Sequence, residues 1–162
     1  MTSTVWHPAN LIATWFGSGY LPKAPGTWGS LFALPPAWLI ADHFGALALI
    51  PAAAIALALG LWATRHVLAN SAEKDPGRVV IDEVAGQWLA LIAATPLDPI
   101  LYGIGFLAFR FFDIVKPWPA SWCDRKLPGA AGVMLDDIVA GLYAALSLHL
   151  VILADLQIGF LP

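Results

Sequence analysis

The sequence predicts an all-α fold, a compact helical membrane bundle of about five helices with its polar loops gathered at the cytoplasmic face. Three observations predict it. The 162 residues are 59% hydrophobic and 12% charged, with a mean hydropathy of +0.74, against about half and about a quarter in an average soluble domain. Five apolar segments are separated by breaks carrying Pro, Gly or charge, a pattern of helices with short connections. When those segments alternate across a bilayer, all eight Lys and Arg residues lie in or beside one set of loops, as the positive-inside rule expects of a cytoplasmic face.

Residues 1–16 (MTSTVWHPANLIATWF) read as a partly helical lead-in whose Trp6, Trp15 and Phe16 suit a membrane interface. No cleavable signal peptide is read there, since no Lys or Arg precedes the apolar residues. The stretch 17–30 (GSGYLPKAPGTWGS) packs glycines and prolines too densely for regular helix and is expected as a loop. Residues 31–41 are apolar but interrupted by Pro35–Pro36, which predicts a kinked or shortened helix before a turn at Asp42–His43. Phe44 to Ala63 carries no charge and is long enough to cross about 30 Å of hydrocarbon, with Pro51 tolerated inside it.

The interval 64–81 is polar, 84–95 is apolar, and Pro96 to Pro99 marks a turn. A helix over 100–112 is stopped by Pro117 and Pro119, a loop spans 118–133, and the last helix covers 138–154. The opposite set of loops, 42–43, 96–99 and 155–162, holds only Asp42, Asp98 and Asp155. A soluble bundle with an unusually apolar core is the competing architecture. Residues 1–162 read as a single domain, and the oligomeric state is left open, an oligomer being allowed.

Composition excludes several classes. The net charge is −3 and no basic run exists, which argues against a nucleic-acid partner. The single Cys123 allows neither an intramolecular disulfide nor a thiolate cluster and is expected as a buried or idle thiol. The histidines are scattered, without HExxH, and His149 is expected as a hydrogen-bonded core residue; GxSxG is also absent.

Charge gathers instead in FRFFDIVKPWPASWCDRKLPGAAGVMLDDIVAG, residues 109–141, and ions cost several kcal/mol where water is scarce. Two acidic pairs, Asp82–Glu83 and Asp136–Asp137, each open an apolar helix on the same side. One acid suffices to offset a helix macrodipole. Two in a row, twice, match the hard oxygen ligands of Mg²⁺, which takes carboxylates, water and substrate phosphate. Arg110, Asp113 and Lys116 share a helix face. They form either an ordinary ion-pair ladder or a buried group with positive charge left over for a phosphate. Gly17–Gly19 and Pro25–Ser30 form either a flexible loop or a backbone-amide nest for an anion.

The blocks GSGYLPKAPGTWGSL, IDEVAGQW and FRFFDIVKPWPASWCDRKLPGAAGVMLDDIVAG resemble the phosphatidylglycerophosphatase A family over residues 10–145. The resemblance implies a bacterial inner-membrane, multi-pass, Mg²⁺-dependent enzyme with its site facing the cytoplasm. Its substrate would be phosphatidylglycerophosphate, dephosphorylated to phosphatidylglycerol. It implies metal ligation by Asp82, Glu83, Asp136 and Asp137, and catalytic roles for Arg110, Asp113, Lys116 and Asp137. Phosphate binding falls to Gly26, Thr27, Arg110 and Lys116. Neither a histidine-bearing phosphatase signature nor DxDx[TV] is present. A small transporter or channel with a divalent-cation site is the alternative, and it would place the acids at mid-membrane depth.

Overall fold

The computed structural model describes residues 6–72, 76–95 and 97–159, and within them the chain is helical throughout, with no strand. The described residues hold seven α-helices rather than five. The five long ones correspond to the five apolar segments: α2 (Pro25–Phe44), α3 (Leu49–Ala69), α4 (Ile81–Ala90), α5 (Pro99–Val115) and α7 (Ala130–Ile158). The two unexpected ones are short: α1 (Pro8–Ala13) in the lead-in and α6 (Ala120–Lys126) inside the predicted 118–133 loop. Glu73–Asp75 of the polar interval and Pro96 of the predicted turn lie outside the described residues.

Several boundaries moved for identifiable reasons. Pro25 sits in the first turn of α2, where its fixed φ suits a helix and its missing N–H is not needed. The expected loop PGTWGS therefore begins a helix. Pro35 and Pro36 do not break α2. Pro36 leaves the Phe32 carbonyl without its intrahelical donor, and Trp15 Nε1 donates to that oxygen at 3.4 Å. One residue on, Trp88 Nε1 donates to the Ala33 carbonyl at 2.9 Å. Pro51 likewise falls in the first turn of α3, which then continues through Thr64–Ala69, residues expected in the polar interval. Asp42–His43 belong to the last turn of α2 rather than to a turn. Asp98 caps α5 by accepting from the Ile100 and Leu101 N–H groups at 2.6 and 3.1 Å, and Lys116 closes it in the left-handed region at φ 47°.

These indole donors predict a measurable loss. Trp88→Phe keeps the ring's bulk but strips the donor from a buried carbonyl, so it should cost about 1–2 kcal/mol of stability. Thermal unfolding in micelles would read it. Trp15→Phe, whose contact is longer, should cost less.

The helices run up and down. α2, α4 and α7 begin, and α5 ends, at one charged end of the bundle. α4 lies in the middle, packed on α2, α3 and α7, with Val84, Ala85, Gly86, Gln87 and Trp88 buried. Its crossing with α7 is made by glycines: a Cβ on Gly141 would meet the Gly86 carbonyl, and one on Gly86 would meet the Asp137 carbonyl oxygen at 2.5 Å. Small residues let helix backbones approach this closely. Cys123 is a buried free thiol, as expected, whereas His149 is exposed on α7 rather than part of the core. His7 and His66, far apart in sequence, stack with ring centroids 4.1 Å apart.

Among the described residues, two helices are long and apolar enough to cross a membrane, Ala46–Ala69 and Ala130–Gln157, and only 28% and 33% of their most apolar windows are buried. A soluble core helix would be mostly covered. Here Leu47, Ile55, Leu59, Leu107, Leu146 and Leu150 point outward.

Candidate active site

Where the four helix ends meet, they enclose a polar pocket of about 340 Å³. Its walls bring together all the predicted acids and bases: Asp82 and Glu83 from α4, Arg110 and Asp113 from α5, Lys116, and Asp136 and Asp137 from α7. Gly26 lines it too, while Thr27, half-buried in the first turn of α2, is not among the lining residues. Asp124 of α6 joins the walls, although its place in the sequence pointed to no role beyond its charge.

The local chemistry fixes each side chain. Asp82 and Glu83 occupy the first turn of α4, where the helix dipole favours carboxylates. Asp136 and Asp137 do not open α7, as the sequence suggested. The helix starts six residues earlier, at Ala130, so these acids sit in its second turn, beyond the reach of capping. One oxygen each from Asp82, Glu83 and Asp137 lie within 4.8 Å of one another. Asp136 is held apart from that triad by its ion pair with Lys116, which also lies 3.6 Å from Asp124.

Arg110 is anchored on three sides. Its Nη1 is 2.5 Å from Asp113 Oδ2, 4.0 Å from Glu83 Oε1, and donates at 3.3 Å to Ser30 Oγ. Ser30 in turn donates to the Gly26 carbonyl at 2.9 Å. A Cβ at position 26 would collide with the Glu83 carboxylate and approach Arg110, so a larger residue there would displace the Glu83 side chain. The expected amide nest is thus a helix N-terminus whose glycine clears space for charged side chains.

The balance of charge bears on the two readings open for Arg110 and Lys116, ion pairing or surplus positive charge. In the pocket both are paired, and six carboxylates face two cations. Burial raises the Asp82 carboxyl well above the usual carboxylate range, and the neighbouring Glu83, Asp137 and Asp136 push it further. Burial raises Glu83 as well, despite its hydrogen bond with Asp82 and the charge of Arg110. For Lys116, burial acts downward, but the Asp136 hydrogen bond and surrounding carboxylates outweigh it and hold the ammonium charged.

Buried Asp82 Oδ1, Glu83 Oε2 and Asp136 Oδ1 have no hydrogen-bond partner. Orphaned carboxylate oxygens are costly in a dry site. Together with three converging oxygens and a net negative pocket, they fit a hard divalent cation such as Mg²⁺. Sequence reasoning missed Ser30, which fixes Arg110, and Gln87, one turn beyond Glu83 on α4, fully buried with neither amide atom partnered. Ser30 carried no signal beyond its place after the glycines.

Comparison with known proteins finds a family and several relatives. Residues 11–152 match the family model described as phosphatidylglycerophosphatase A. Phosphatidylglycerophosphatase A of Escherichia coli K12 is 36% identical over 143 residues, 88% of this chain and 81% of that protein. The Haemophilus influenzae protein of the same name is 35% identical, covering 86% of each chain. A relative from Bacteroides thetaiotaomicron, provisionally named a phosphatidylinositol-3-phosphatase, is 40% identical over 83% of this chain and 87% of its own. No solved structure matches.

Proposed function

The chain belongs to the phosphatidylglycerophosphatase A family, and on that premise we propose how this pocket dephosphorylates phosphatidylglycerophosphate to phosphatidylglycerol. The observation that carries the reading is the triad Asp82, Glu83 and Asp137 converging beside an anchored arginine. These three carboxylates would hold Mg²⁺, which supplies Lewis-acid polarisation of the phosphoryl oxygens. Arg110, oriented by Asp113 and Ser30, offers its unpartnered Nε–H to the same phosphate, as preorganised charge that needs no rearrangement during reaction. Asp113 is a positioning group, since its carboxylate is spent on Arg110. Asp136 Oδ1, buried and without a partner, takes the proton as water attacks phosphorus and the bond to the glycerol oxygen breaks. Lys116 keeps Asp136 in place and marks the open mouth with Asp124. The released glycerol oxygen collects its proton from solvent there.

The enzyme is read as a multi-pass protein of the bacterial inner membrane with this pocket at the cytoplasmic face. Its outward apolar side chains and the clustering of Lys23, Arg78, Arg125 and Lys126 near the charged end support that placement. The decisive assay gives the purified protein phosphatidylglycerophosphate in mixed micelles, with Mg²⁺ or EDTA, and phosphatidylinositol 3-phosphate in parallel. Phosphate release from the first lipid, lost with EDTA, is expected. Activity that survives chelation would falsify the metal assignment, and preference for the inositol lipid would move the substrate.

Metal and pH should act together on stability. Asp82 and Glu83 are raised in the folded state, so their protonation stabilises the fold below the unfolded carboxylate range. That contribution is lost as pH rises through the raised values. The metal-free protein should therefore weaken as pH rises above the ordinary carboxylate range. Added Mg²⁺ should restore about 3 kcal/mol at a hundred times its Kd, with a thermal shift that grows with pH. A shift independent of pH would argue against these carboxylates as ligands.

A further inference from the structure

The helices that bring Gly26 and Arg110 to the charged pocket also wall an apolar groove further along their length. We propose that this groove takes one acyl chain of the phospholipid whose phosphate enters the pocket; the assignment rests on the lipid phosphatase reading above. The groove measures about 460 Å³ and is lined by Leu34, Pro35 and Trp38 of α2 and by Pro99, Tyr102 and Gly103 of α5.

Three observations connect it to the site. α2 leaves the pocket at Pro25–Gly26 and α5 reaches it at Arg110 and Asp113. Arg110 donates to Ser30, so the helices are joined at that end. Leu34 lies eight residues beyond Gly26 and Tyr102 eight before Arg110, which is about 12 Å along either helix. The groove is therefore level on both walls, at one depth below the phosphate site. Between the two, neither 31–38 nor 99–109 carries a charge.

The shape of the groove has local causes. Prolines at 35 and 99 replace longer side chains, and Gly103 leaves the floor open: a Cβ added there has nothing within 4 Å. In a bilayer such a cleft is filled by hydrocarbon. A chain tethered to a phosphate already bound nearby has a far higher effective concentration than a free lipid.

Gly103 supplies the test, because a Cβ added there meets nothing within 4 Å and replaces a helix-weakening glycine. Wild type, Gly103→Ala and Gly103→Leu would be compared on dipalmitoyl and dihexanoyl phosphatidylglycerophosphate in the same micelles. KM for the dipalmitoyl lipid should rise with side-chain size, to about tenfold for Gly103→Leu, with kcat unchanged and dihexanoyl kinetics unmoved. That split is what losing uniform binding produces. An unmoved dipalmitoyl KM, or an equal loss on both lipids, overturns the groove as the substrate's acyl site and leaves it to bulk lipid or detergent. If the wild type hydrolyses neither lipid, the lipid phosphatase reading falls and the groove assignment with it. Melting curves of the three proteins confirm that the fold is intact.

Discussion

Asp137→Asn should lower kcat by roughly 10³-fold while making the metal-free protein more stable. The two effects have one origin. Asp137 is 3% exposed and shares a space under 5 Å across with Asp82 and Glu83. Three carboxylates in so small a dry volume repel one another unless a cation neutralises them. Replacing one with an amide relieves that repulsion, by about 1 kcal/mol at neutral pH, and removes a proposed metal ligand. Phosphate release and thermal unfolding in EDTA measure the two sides. Asp42→Asn, at the far end of α2 and exposed, should change neither. Lower metal-free stability with activity retained would show that Asp137 is a structural acid.

Gly141→Leu should be nearly as damaging without touching a charged group. Any Cβ at 141 runs into the Gly86 carbonyl, so α4 and α7 must separate. Forcing bulk into a packed interior costs about 1–3 kcal/mol when side chains can yield, and backbone yields less than they do. The activity loss should exceed the stability loss, because the same crossing sets the spacing of Asp82 and Glu83 from Asp137. Displacement by about 1 Å can cost about 10²-fold in rate. Gly103→Ala, with open space around it, is the control and should melt no lower than wild type. Equal tolerance at 141 and 103 would mean the crossing does not position the site.

Much of this was legible in the sequence because charge is rare in it. In so apolar a chain, each Asp or Arg is conspicuous, and Asp82, Glu83, Arg110, Asp113, Lys116, Asp136 and Asp137 all reach one pocket. What could not be read was who pairs with whom. Asp136 and Asp137 are adjacent in sequence but point about 100° apart on a helix, so one meets Lys116 and the other the α4 acids. The sequence carries no sign of that division. Helix ends were misread where a local rule was overridden by a distant partner. Pro35–Pro36 predict a kinked or shortened helix, yet α2 runs on to Phe44, with the Trp15 indole donating to the Phe32 carbonyl that Pro36 leaves open. PGTWGS predicts a loop, yet its glycines are there because Glu83, Arg110 and Val80 press against them.

The excess of carboxylates over cations in the pocket has a kinetic meaning. A phosphomonoester brings about two further negative charges, which these carboxylates repel. With the proposed Mg²⁺ offsetting them, binding would be ordered, cation before lipid, and the pocket would work as a coincidence gate. Apparent affinity for the lipid should track free Mg²⁺, and inorganic phosphate should inhibit only when the ion is present.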